Sequence, residues 1–165
     1  MNMVSFTRFH ILWNGGPLLE IVPTKGVRQG DPLSPYLFIL CLKRLSIQLE
    51  EVVWDKLIYP MSFRGWVRLS HLFFTDDIFL FTKATPRDCR HLNIILQTFC
   101  AFSGQIMSAS KSHISFSPRI PKRLKDQVVG IFGIPTTDRI GTYLGIPIFT
   151  TRRTTNSYQF LVDKI

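Results

Sequence analysis

Apolar positions along this chain change their period several times, and each change predicts an element. Val4 to Trp13 is rich in β-branched and aromatic residues. It meets Asn14-Gly15-Gly16-Pro17, and Leu18 to Val22 is apolar again, the pattern of a β-hairpin closed by an Asn-Gly turn. Pro23 to Pro35 is a polar loop rich in Gly and Pro. A helix is predicted from Ser34 as N-cap and Pro35 as first helical residue to near Val53, because Phe38, Cys41, Leu42, Leu45 and Leu49 recur at helical spacing. Val67–Phe74 and Ile78–Thr82 predict the arms of a second hairpin. Thr85-Pro86-Arg87-Asp88 then opens a helix as a capping box, with Leu92, Ile95, Leu96, Phe99 and Phe102 as its buried stripe and Gly104 as its stop. Next come a strand at His113–Ser117, a helix at Lys122–Val129 closed by Gly130, a strand at Thr142–Phe149 interrupted at Gly145 and Pro147, and a helix beginning at Tyr158. Hairpins mixed with helices, without repeated crossovers, predict an α+β fold in which helices pack on one face of a largely antiparallel sheet.

Composition narrows the function. The chain has 165 residues, enough for one domain with a core, and its 45% hydrophobic content argues against disorder. Lys and Arg exceed Asp and Glu by 20 − 11 = 9 charges, which makes a polyanion, nucleic acid first, the natural partner. Cys41, Cys89 and Cys100 are widely spaced with no CxxC pair, so neither a disulfide framework nor a zinc site is indicated. The four histidines are scattered, which points to surface or half-buried roles. No signal-peptide pattern opens the chain and no apolar run reaches membrane-spanning length, so an intracellular location, nuclear or cytoplasmic, with no membrane partner is expected.

Asp76 and Asp77 interrupt the apolar stretch Leu72 to Phe81 at the turn of the second predicted hairpin. Adjacent carboxylates are costly beside apolar surface unless cations compensate them, and divalent ions prefer hard carboxylate oxygens. The bland alternative is a solvated turn, where Asp is at home. Successive strand side chains point oppositely, so Asp76 is the candidate main ligand and Asp77 the auxiliary one. Gly26-Val27-Arg28-Gln29-Gly30-Asp31-Pro32-Leu33-Ser34-Pro35 is a second candidate, since its glycines permit close backbone approach and its end meets a helix N-terminus suited to phosphate. A stiff loop in which Asp31 and Ser34 merely cap the helix explains the same spacing equally well. Gly104 to Ser112, with Lys111, and Thr142 to Pro147 indicate no chemistry alone.

These blocks together carry a resemblance. Gly26 to Phe38 closely resembles the RQGDPLSP-type block of reverse transcriptases of plant non-LTR (LINE-type) retrotransposons. Ser70-His71-Leu72-Phe73-Phe74-Thr75-Asp76-Asp77 resembles the FADD metal-binding block of that family, Ala101 to Ser117 the next block, and Tyr143-Leu144-Gly145-Ile146-Pro147 its YLG(L/I)P block at the palm–thumb boundary. The resemblance covers essentially the whole chain, 1–165, and implies a polymerase palm subdomain fragment, with 142–165 at the palm–thumb boundary. It implies two Mg²⁺ ions serving attack of a DNA primer 3′-hydroxyl on the α-phosphate of a dNTP, over an RNA template. By the same resemblance Asp76 and Asp77 are catalytic metal ligands, Lys111 lies near the triphosphate, and Arg28, Gln29, Gly30 and Asp31 lie against nucleotide and template.

Two departures qualify this reading. The family's upstream block with a further catalytic Asp has no counterpart before Val4, so the site is expected to hold metal weakly and this chain alone is expected to be inactive. Its absence also predicts an unpaired strand edge and an uncovered apolar face. Thr75 stands where the family has Ala, and Ile78 where it often has a small polar residue. The alternatives to a polymerase part are a degenerate palm that binds nucleic acid without chemistry, and a retroelement relic with no selected function.

Overall fold

The structure is a computed structural model and describes residues 8–22, 26, 30–63, 66–138, 142–143 and 146–147. Among these the chain forms a mixed α+β arrangement in the order β1 (Phe9–Trp13), β2 (Gly16–Ile21), α1 (Ser34–Trp54), β3 (Met61–Phe63), β4 (Val67–Leu69), β5 (His71–Phe74), β6 (Asp77–Leu80), α2 (Pro86–Ser103), α3 (Lys122–Phe132), β7 (Thr142–Tyr143) and β8 (Ile146–Pro147). The strands pair antiparallel as four two-stranded hairpins. The turn of β1–β2 is the predicted Asn14-Gly15, and both residues have positive φ, 48° and 82°. A two-residue turn with left-handed backbone at both centres matches the right-handed twist of the strands it joins.

The core lies between α1 and α2. Leu42, Leu45 and Leu49 recur along α1 and meet Leu92, Leu96 and Phe99 of α2. Phe73, Ile78 and Leu80 of β5–β6 pack against this cluster, as do Phe38, Cys41 and Ile95. In the register Phe73 faces Ile78 and His71 faces Leu80, so these alternate residues share the inner face of the hairpin. Helices therefore cover one face of β5–β6, and the other face, with Leu72 and Phe74, is exposed.

A buried carboxylate ties the surrounding loops. Thr85 caps α2, its hydroxyl accepting from the Asp88 N–H at 3.2 Å. Asp88, only 2% exposed, accepts from the Thr85 hydroxyl and from the Tyr59 N–H at 2.9 Å. The capping box thus also anchors the chain that leaves α1. Thr82 and Lys83 donate to the Tyr59 carbonyl from the other side, and the Lys83 ammonium sits 4.3 Å from the Tyr59 ring centroid. Cys89, beside Asp88, is buried, and burial first and the Asp88 carboxylate second push its thiol up to about 11. Such a thiol stays protonated and unreactive in the fold.

Several expectations are corrected. α1 begins at Ser34 with Leu33 in the N-cap position, because Asp31 has already turned the chain: its carboxylate accepts from Leu33 N–H at 2.8 Å and its carbonyl from Ser34 N–H at 3.1 Å. The arm expected at Val67–Phe74 is broken at Ser70, since Val67–Leu69 pairs with Met61–Phe63 and only His71–Phe74 pairs with β6. Phe102 is exposed, because the inward position of the last turn of α2 falls to Ser103, whose hydroxyl donates to the Phe99 carbonyl at 2.7 Å. α3 continues through Gly130 and is closed by Gly133 at φ 65°. His113–Ser117 forms no strand but a single parallel bridge, Ile114 to Thr136. Within 142–149 the described residues Thr142–Tyr143 and Ile146–Pro147 pair antiparallel as β7–β8. The helix expected from Tyr158 lies outside the described residues.

The exposed apolar surface is extensive. Leu12, Trp13 and Leu19 of β1–β2, Tyr36, Ile39 and Leu40 of α1, and Trp54 all face solvent. The two sides of α1 therefore make opposite predictions. Leu45→Ala lowers the free energy of unfolding in urea by about 2–5 kcal/mol, through lost burial and the cavity left behind. Leu40→Ala, at a position 64% exposed, changes it by about 0.5 kcal/mol or less.

Candidate active site

The aspartates end up at the tip of β5–β6 because the apolar pattern buries the arms and leaves the turn. Thr75 and Asp76 form the two-residue turn, and Asp77 is the first residue of β6, opposite Phe74. Both carboxylates are exposed. Asp77 belongs to the outer face with Phe74, whereas Asp76 stands at the tip. The adjacent aspartates thus have different backbone settings, one on a turn and one on a strand.

Thr75 adopts φ 48°, a left-handed conformation that a β-branched residue rarely takes. Its hydroxyl donates to Asp76 Oδ1 at 2.9 Å. This bond, then the backbone N–H of Asp76 itself, and also the positive charge of Lys111, hold the Asp76 carboxyl below its ordinary value; the small desolvation opposes them. Lys111 reaches this neighbourhood from the loop after α2, where its N–H donates to the Ser108 carbonyl at 3.2 Å. Among the described residues it makes no direct ion pair with Asp76. The structure thus brings Asp76, Asp77 and Lys111 to one region, and the ammonium acts through space.

The RQGDP-type loop is described only in part. Gly26 and Gly30 have positive φ, 81° and 83°, backbone that glycine adopts without cost. Asp31 caps the entry to α1 as described above, so its carboxylate has a structural task. Arg28 and Gln29 lie outside the described residues. Tyr143, Ile146 and Pro147 lie in β7–β8.

The donor chemistry suits a hard divalent cation: two carboxylates, exposed and free of any direct cation among the described residues. Mg²⁺ is commonly held by one or two carboxylates together with substrate phosphates. Among the described residues there is no group of three or more His, Cys, Asp or Glu able to hold a metal ion.

Sequence reasoning missed the part played by two residues of the hairpin. His71 sits at the root of the hairpin, half-buried, bonded to Ser46 on α1 and to Ser70. Its only sequence signal was its position among apolar strand residues. Thr75 was read as a substitution, and its bond to Asp76 follows from a backbone angle that no pattern reports.

The hydroxyl of Thr75 has a measurable consequence. In Thr75→Val the Asp76 carboxyl, followed by ¹³C NMR, titrates at a higher pH than in the parent chain, and Thr75→Ser restores the parent midpoint. The sign for stability follows. A carboxyl depressed on folding stabilises above its unfolded value of 3.8, and that contribution is lost as pH falls through the folded value. Thr75→Val therefore weakens the acid limb of the stability profile.

Residues 3–148 match the family profile described as reverse transcriptase (RNA-dependent DNA polymerase). The chain is also 42% identical over 72 residues to an uncharacterized mitochondrial protein of Arabidopsis thaliana, a match covering 42% of this chain and 59% of that protein. The chain thus spans about 59% of the length of the curated relative it matches. Both aspartates, Lys111 and the Gly30–Asp31 turn fall within the family match, and the chain belongs to the reverse transcriptase (RNA-dependent DNA polymerase) family.

Proposed function

We propose that this chain is a palm segment of an RNA-directed DNA polymerase of retroelement origin, with Asp76 and Asp77 as its metal-holding carboxylates. The observation that carries the proposal is the Asp76–Asp77 turn, exposed on a hairpin whose inner face packs half-buried on the core, inside a family match that runs from 3 to 148. The family works on a nucleic-acid template with dNTP substrates and generally uses divalent metal. The ions supply charge neutralisation and orientation for in-line phosphoryl transfer.

The residues of the chain have separable tasks in this reading. Asp76 projects from the tip and offers the carboxylate that Thr75 orients. Asp77, on the outer face of β6, is the auxiliary ligand. Lys111 adds positive charge where a triphosphate would carry negative charge. Arg28, Gln29, Gly30 and Asp31 precede α1; Asp31 already takes the Leu33 and Ser34 N–H groups and Pro35 has none, so in this reading Arg28 and Gln29 supply the nucleotide and template contacts. A pair of carboxylates on one turn holds a cation weakly until substrate phosphates add further oxygens. We therefore expect the purified chain to bind Mn²⁺ weakly, with Asp76→Asn abolishing that binding in a direct titration. We also expect it to extend no oligo(dT) primer on poly(rA) above background. Extension by the purified chain that disappears in Asp76→Ala would refute the inactivity.

The net charge of +9 also favours a second reading, a palm that binds nucleic acid without chemistry. Lys43, Arg44, Lys111, Arg119, Lys122 and Arg123 are exposed, and the Lys125 ammonium lies 5.8 Å from the Phe116 ring centroid. Arg28, Arg152 and Arg153 lie outside the described residues. Binding of this kind releases counterions, so RNA affinity in a filter assay falls by an order of magnitude or more between about 50 and 200 mM salt. A flat response would remove this reading.

A further inference from the structure

The root of the aspartate hairpin carries a titratable group that the proposed chemistry does not use. His71 opens β5 opposite Leu80. Its Nε2 lies 2.9 Å from Ser46 Oγ on α1, and its Nδ1 lies 2.9 Å from Ser70 Oγ. Ser46 Oγ in turn donates to Glu50 Oε1 at 3.3 Å. The ring is half-buried and lies 4.7 Å from the Phe73 ring, tilted by 38°.

One neutral tautomer satisfies all three bonds at once. An ionised carboxylate only accepts, and a serine hydroxyl has one proton to give. Ser46 gives that proton to Glu50, so its oxygen accepts from His71 Nε2–H. A neutral imidazole with its proton on Nε2 has an acceptor at Nδ1, which takes the proton of Ser70. The relay runs one way, from Ser70 through His71 and Ser46 to Glu50, and joins the hairpin to α1. Phe73, beside His71 in the same strand, packs on the core, so the polar tie and the apolar contact fix the same strand on the same helix.

We propose that His71 is a proton-sensitive latch and a positioning residue, holding the Asp76–Asp77 hairpin against α1 while neutral and loosening it when protonated. A second proton turns Nδ1 into a donor, so the Ser70 hydroxyl must turn from donor to acceptor and the relay loses its single direction. The charge must also sit in a half-buried pocket. The charged groups that bear on the ring both come from α1: Glu50 favours the cation and Lys43 opposes it. Leu80, its partner on β6, carries no charge. Burial outweighs Glu50 and, with Lys43, lowers the His71 pKa from its ordinary 6.5. The unfolded chain therefore takes up the proton first as pH falls below 6.5. The folded hairpin loses stability from there down to the folded value, and the latch is intact above 6.5. Its importance for metal rests on the reading of Asp76 and Asp77 given above.

The test is NMR of the whole chain between pH 7.5 and 5, a window above the carboxylate range. The His71 ring nitrogens should titrate below 6.5, the Phe74 and Asp77 amides should move with the same midpoint, and the Leu45 and Leu49 amides should stay fixed. In Ser46→Ala His71 should titrate nearer its ordinary value, and the hairpin amides should no longer follow it. His71→Gln offers an N–H in place of Nε2–H without a second ionisation, so its hairpin amides should be flat across the window even if Ser46→Ala fails to fold. Titration of His71 at or above 6.5 in the parent chain, or hairpin amides that ignore it, would overturn the latch. If Mn²⁺ fails to broaden the Asp76 signals while the hairpin still follows His71, the metal reading fails and the latch stands.

Discussion

The packing of one leucine face of α1 on α2 is the constraint on which the other described features depend. Leu45 and Leu49 are fully buried there, and Leu92, Leu96 and Phe99 close the contact from the other helix. Two helices joined this way leave a groove of apolar surface, and β5–β6 fills it with Phe73, Ile78 and Leu80. A strand that commits alternate residues to the core must turn the intervening ones outward, and a tight turn must leave the core altogether. The position of Asp76 and Asp77 therefore follows from hydrophobic burial, not from any attraction between the aspartates and their surroundings.

This arrangement separates stability from chemistry. The hairpin is anchored at its root, where Phe73 packs and His71 bonds to Ser46, and it is charged at its tip. Keeping both carboxylates in solvent avoids the desolvation that would otherwise neutralise one of them. Thr75 and Lys111 reinforce the ionised state of Asp76 without forming a buried pair. A buried carboxylate does occur, at Asp88, and its role is different. Fully supplied with donors from Thr85 and the Tyr59 backbone, it fixes the relation between the end of α1 and the start of α2.

The exposed apolar side chains belong to the same account. Tyr36, Ile39 and Leu40 lie on the side of α1 away from α2, and the β1–β2 hairpin presents Leu12, Trp13 and Leu19 to solvent. The described core is small for a chain with 45% hydrophobic residues, since one helix pair and one hairpin supply most of it.

Much of this was determined by the sequence alone, wherever a local rule was sufficient. The Asn14-Gly15 turn, the capping box at Thr85 and Asp88, the Gly104 stop and the leucine stripe of α1 depend on backbone preferences and helical periodicity within a few residues, and they form as the pattern dictates. The family was legible for a similar reason, because its blocks are contiguous. What depended on neighbours distant in the chain was decided only by the tertiary structure. No pattern in Val67–Phe74 reveals that its first half pairs with Met61–Phe63, and the shift from Phe102 to Ser103 reflects where α1 stops supplying surface. The bonds of His71 to Ser46, of Asp88 to Tyr59 and of Thr75 to Asp76 are set by packing and by one positive φ, and sequence spacing carries no information about either. The aspartates could be found in the sequence, but the groups that position them became visible only when the chain was folded.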